Sequence, residues 1–175
     1  MSGELVVPLN VDVQNALDQT TNDLPMHDQQ FDMWANLAYS NANKVSQGSD
    51  AQVTIRLVEE VEMVQLNNEF RGKNKPTNVL SFPVEQDFFD LTQLTSNDEA
   101  FDEYNLLGDI VICHSVIVKE ASEQAKSTAD HYAHMVVHGI LHLCGYDHID
   151  DSDAQEMESL EVAILAKHNV ANPYS

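Results

Sequence analysis

Positive charge is what this sequence has least of. Eight lysines and arginines face 29 aspartates and glutamates, a formal net charge of −21. A surface so acidic repels nucleic acid over most of its area, so composition alone counts against an RNA or DNA partner. Long apolar runs are also missing: no stretch reaches the roughly 18 residues that a membrane span needs. The opening MSGELVVPLNVDVQ has neither a basic start nor a long apolar segment, so no signal peptide is expected. Cysteine is scarce. Cys113 and Cys144 sit among apolar neighbours and belong to no CxxC pair, which predicts two buried thiols in a reducing cytosol.

What is there suffices for a core. The chain has 175 residues, 43% of them hydrophobic, enough for one domain without disulfide staples. Strand composition over 4–12 carries Pro8, which predicts an edge strand. Residues 52–58 alternate with period two, 77–83 are β-rich, and the apolar run 107–114 predicts a central strand. Helical spacing covers 28–44, 59–70, 115–126, 128–144 and 151–168. In the second helix Val61, Val64 and Leu66 are expected towards the core, with Gly72 ending it. Thr128 or Asp130 is expected to cap the fourth helix and Gly145 to stop it. In the last helix Met157, Leu160, Val162, Ile164 and Leu165 supply the apolar positions. Residues 85–105 hold seven acids and no base and read as an acidic surface loop or lid. The expected fold is α/β of the α+β type. A small mixed sheet of about four strands is covered by about five helices, in a single domain over 1–175.

One stretch carries chemistry: HGILHLCGYDH, residues 138–148. His138 and His142 are four apart, hence about 40° apart in azimuth and about 6 Å along a helix axis. Two imidazoles so placed can close on one ion at the end of a largely apolar central helix. Gly145 lets the chain turn back, so that His148 can reach the same ion. Three neutral nitrogens plus water is the pattern of an open catalytic zinc site, although nickel or copper also suits three histidines. Cys144 lies about 200° around the helix from His142 and is a poor fourth ligand. His131 and His134 read as a polar helix face or outer contacts. A competing pair, His134 with His138, lacks an obvious third ligand. The spacing also occurs in HExxHxxGxxH metalloproteases. Their general-base glutamate is replaced here by Gly139, which counts against peptide hydrolysis.

The scarce cations are unevenly spread. Arg71, Lys73 and Lys75 place three of the eight in FRGKNKP, so an anion site is expected there if anywhere, the plainer reading being a solvated turn.

Taken together, HMVVHGILHLCGYDH, NKPTNVLSFP and LGDIVIC resemble the bacterial rRNA maturation factor YbeY family, metal-dependent endoribonucleases specific for single strands. The similarity runs over nearly the whole chain, to the EMESLE helix. The resemblance implies metal ligation by His138, His142 and His148, a functional arginine at Arg71, bound zinc and a cytoplasmic location. It also implies work on single-stranded rRNA of the small ribosomal subunit with its assembly factors: maturation of the 16S 3′ end and quality control of defective ribosomes. No membrane or DNA partner is implied. Arg71 suits the chemistry, because a guanidinium can hold two phosphate oxygens, with Lys73 and Lys75 tracking the backbone. Two other readings are a ribosome-assembly binding protein with a structural metal and a metal hydrolase of another substrate.

Overall fold

The structure, a computed structural model, describes residues 9–18, 24, 26–42, 51–84, 105–147 and 149–174. Strands β1 (Leu9–Asn15), β2 (Ala51–Val58), β3 (Val79–Pro83) and β4 (Asn105–Cys113) form one sheet in the order β1-β2-β4-β3. The first two pairings are parallel, and β3 runs antiparallel to β4. Among the described residues five helices accompany it: α1 (Asp28–Asn41), α2 (Glu60–Arg71), α3 (His114–Glu123), α4 (Thr128–Leu143) and α5 (Asp151–Ala166). This is the expected mixed sheet with its helical cover. The first strand is an edge strand as expected, but it extends to Asn15, and Pro8 lies outside the described residues. The acidic segment 85–104 also lies outside them.

The sheet has two unequal faces. Period two sends Val53, Ile55 and Leu57 of β2, with Ile110 and Ile112 of β4, into the main core beneath α1, α4 and α5. The alternate residues Val111 and Cys113 of β4 and Leu80 of β3 meet Met63 of α2 in a smaller cluster on the other side. Helix α2 is the main cover of that face, with Val116 of α3 at its margin, and needs only a narrow apolar stripe. Val61 is therefore 72% exposed, contrary to expectation, and Met63 and Asn67, one turn apart, are the residues that α2 buries. Buried Asn67 donates through Nδ2 to the Lys75 carbonyl at 2.7 Å. That bond, with Gly72 in the left-handed region at φ 67°, pins the loop that carries the cations.

Helix α4 is the central element. Tyr132, Ala133, Val136, Val137, Ile140 and Leu141 are all buried. Its N-cap is Ser127, not Thr128 or Asp130: the Ser127 hydroxyl accepts from the Asp130 amide at 3.1 Å. Gly139 brings the helix onto the sheet, because a Cβ there would stand 2.9 Å from Ile110 Cδ1. Helix α5 is capped by Asp150, whose carboxylate accepts from the Asp153 amide at 2.8 Å. It buries Met157, Glu161, Ile164 and Leu165. Leu160 and Val162, expected in that row, are only half-buried. Among the described residues no helix is long and apolar enough to cross a membrane. Both cysteines are free and buried, and burial pushes the Cys144 thiol up to about 12.

Gly108 marks a bulge in β4, where the register with β2 slips at Gln52/Val53. Its φ is +144°, and a Cβ would lie 2.4 Å from the Phe82 carbonyl oxygen. Backbone strain and backbone contact then act together. Gly108→Ala is expected to cost about 2 kcal/mol or more, read as a lower urea midpoint at unchanged slope. A wild-type midpoint would contradict this account of the bulge.

Candidate metal centre

Four histidines of α4 stand in file at spacings of three, four and four. Adjacent ring centroids lie 6.1, 6.2 and 6.3 Å apart from His131 through His134 and His138 to His142. Each ring has one nitrogen donating to a named acceptor. His131 Nε2 donates to Glu120 at 2.8 Å, and His134 Nε2 to Glu161 at 3.0 Å. His138 Nδ1 donates to the same Glu161 oxygen at 3.1 Å, and His142 Nδ1 to the Tyr146 carbonyl at 3.0 Å.

The file divides at its middle. His131 and His134 are buried and use Nε2. His138 and His142 are half-buried, use Nδ1, and hold their rings within 6° of parallel. A histidine whose Nδ1–H is held by a carboxylate or carbonyl ligates a metal through Nε2, with its tautomer and ring angle fixed. His138 and His142 are both prepared in this way. The 78° between the rings of His134 and His138 shows no such match.

The organiser of this arrangement is Glu161, fully buried on α5. It accepts from His134, from His138 and, on both oxygens, from the Tyr174 hydroxyl at 3.2 and 3.0 Å. Burial works to push its carboxyl up. The hydrogen bonds and charge of His134 and His138 outweigh that and hold it at about 2. Sequence reasoning missed Glu161, Tyr174 and Glu120. For Glu161 a signal existed: it continues the buried stripe of Met157 and Ile164, where a lone acid demands partners.

His134, His138 and Glu161 form a group that could hold a metal ion, their candidate ligand atoms all lying within 4.8 Å of one another. Their contacts at 3.0 and 3.1 Å are ordinary hydrogen-bond distances. His148 lies outside the described residues. Tyr146, two residues before it, is buried and folds back so that its carbonyl reaches His142, after Gly145 has turned the chain at φ 103°. Cys144 is the C-cap of α4 and a buried free thiol.

The expected cations lie at the end of α2 and in the loop after it. Arg71 ends α2, and Lys73 and Lys75 follow in its loop, all exposed. Helix α2 covers the sheet face opposite α4, and Arg71 stands at its C-terminal end. Among the described residues these three side chains make no ion pair.

Fold and site together define a small α+β protein with a buried histidine–carboxylate cluster suited to a metal ion. Residues 16–169 match the family model described as Endoribonuclease YbeY. A protein of that name from Alteromonas mediterranea is 48% identical over 167 residues, covering 94% of this chain and 95% of the relative. Its namesake from Colwellia psychrerythraea is 45% identical over 165 residues, covering 94% and 96%. The chain belongs to the endoribonuclease YbeY family, a family of RNA-cleaving hydrolases. The fold is also similar to the solution structure of TM1509 from Thermotoga maritima, with a TM-score of 0.54 and 24% identity over 90% of this chain and 87% of that one.

If Glu161 holds the two rings, its removal takes the carboxylate acceptor from His138 Nδ1 and leaves His134 Nε2 with the Tyr174 hydroxyl at 3.2 Å. Glu161→Ala is expected to cost about 3 kcal/mol, measured by reversible denaturation. A change within the ordinary surface range of about 0.5 kcal/mol would contradict it.

Proposed function

We propose that this protein is a metal-dependent endoribonuclease that cuts single-stranded RNA in rRNA processing, and that His138, His142 and His148 hold the metal. The observation that carries the reading is the parallel pair His138 and His142, each with Nδ1 already committed. This chain's residues fit such a group: neutral nitrogen donors, one turn apart, half-exposed to water at the end of a buried helix. Zinc suits three imidazoles with a position left open. When bound, the metal supplies a Lewis acid that polarises a phosphoryl oxygen and acidifies water.

The remaining work falls to the protein. Glu161 and the Tyr146 carbonyl orient the rings. The position after His138 faces Ile110, so no side chain can enter there as the general base of a peptidase. Arg71 neutralises phosphate charge, and Lys73 and Lys75 track the backbone from the pinned loop. With acids elsewhere repelling RNA, affinity for naked RNA is low, and the small ribosomal subunit with its assembly factors supplies the rest of the binding. The physiological setting is the cytoplasm, in 16S 3′-end maturation and ribosome quality control. One domain, residues 1–175, carries the activity.

The experiment is cleavage of a defined single-stranded RNA by the metal-loaded chain and by Arg71→Ala, with binding followed against salt. Three phosphate contacts predict a log–log slope of about −2 for single strands. They also predict slower cleavage by the variant. A slope near −6, or equal rates from the two proteins, would contradict the assignment of the loop.

A further inference from the structure

The sheet face that α2 leaves partly open holds a cavity of about 510 Å³. Its apolar end is an aromatic pair. Phe70 of α2 is 58% exposed and meets Phe82 of β3 edge-to-face, with centroids 4.9 Å apart. Its polar wall is built from Gln14, Thr54, Arg56, Glu62 and Asp109, with the Thr54 hydroxyl bonded to the Asp109 carboxylate. Glu62 grips the Arg56 guanidinium with two bonds, Nε to Oε2 at 2.6 Å and Nη2 to Oε1 at 2.9 Å. That bidentate clamp fixes the flat cation in place. Exposed large apolar groups beside a prearranged polar wall mark a binding site more than a core edge.

Three observations say what fills it. Arg71 follows Phe70 directly, and Lys73 and Lys75 stand exposed in the pinned loop beyond. This acidic chain thus places three of its eight positive charges within five residues of the exposed Phe70. Aromatic rings and guanidinium planes are what unpaired nucleobases stack on, while neighbouring cations hold the phosphates. Strand β3 separates the cavity from the histidines. Phe82 points into the cavity, and the opposite side of the same five-residue strand packs towards α4.

We infer that this cavity is a base-binding subsite, in which one nucleobase of a single-stranded RNA stacks on Phe70 and Phe82 while Arg71 and Lys73 hold the flanking phosphates. The inference rests on the proposed function. The strand then runs over β3, with one base anchored on the α2 face and the chain continuing towards the histidine side. Thr54 and the clamped Arg56 meet the base edge. Such a subsite gives grip on unpaired RNA, since a base inside a duplex cannot be splayed into it.

The test uses the full chain and fluorescence anisotropy with a short labelled single-stranded RNA, beside an abasic strand of the same length. Phe70→Ala is expected to weaken RNA binding about tenfold, the loss of one stacked base. Phe70→Trp is expected to retain wild-type affinity. The abasic strand should not distinguish wild type from Phe70→Ala. Val61→Ala, an exposed apolar loss at the other end of the same helix, should change nothing. Wild-type affinity in Phe70→Ala overturns the subsite and leaves the groove to a protein partner. An equal loss on the abasic strand also overturns it, because the ring would then act only on the loop. Cleavage by the same preparations separates the failures. If wild type cuts RNA while Phe70→Ala binds normally, the subsite alone is wrong. If wild type neither binds nor cuts, the proposed function fails with it.

Discussion

A buried carboxylate is the constraint around which this molecule is arranged. Glu161 has no exposed surface, and an isolated charge so placed would cost several kcal/mol. It is offset by three donors from two parts of the chain. His134 and His138 come from α4, and Tyr174 comes from beyond α5. The same bonds tie α5 and the C-terminal segment onto the central helix. They also set the angle of the His138 ring. Stability and site geometry thus share one set of hydrogen bonds, and disturbing Glu161 disturbs both.

The sheet lets an acidic protein keep a nucleic-acid chemistry. Its covered face carries α4 and the histidines, pressed against β4 where Gly139 admits Ile110. Among the described residues its opposite face is covered mainly by α2, with Val116 of α3 at its margin, and at the end of α2 stand three of the chain's eight cations. The proposed RNA path crosses β3, which is a short edge strand. The width of the barrier is therefore small.

Much of this was legible in the sequence where one force dominates. Period two in QVTIRLV placed β2, and the apolar run LGDIVIC placed β4 inside the sheet, because burial decides such strands. The spacing of His138 and His142 followed from helix geometry alone, and the structure shows those rings side by side. Legibility fell where partners come from afar. Glu161 lies 23 residues from His138, so spacing could not reveal that they meet. Val61 looked like a core residue because hydropathy does not tell a helix with one neighbour from a helix with three. The cap of α4 moved to Ser127, since several residues in that turn can cap and backbone geometry chooses among them. His148 lies outside the described residues; before it Gly145 turns the chain and the Tyr146 carbonyl returns to His142.

Which histidines carry the ion is the question on which the account turns. The direct measurement is metal stoichiometry and affinity, by chelator competition, for His134→Ala, His138→Ala, His142→Ala and His148→Ala. The account predicts loss of tight binding in the last three and its retention in His134→Ala. Retention by His142→Ala and His148→Ala together with loss in His134→Ala would contradict it, and would move the ion to the buried group around Glu161.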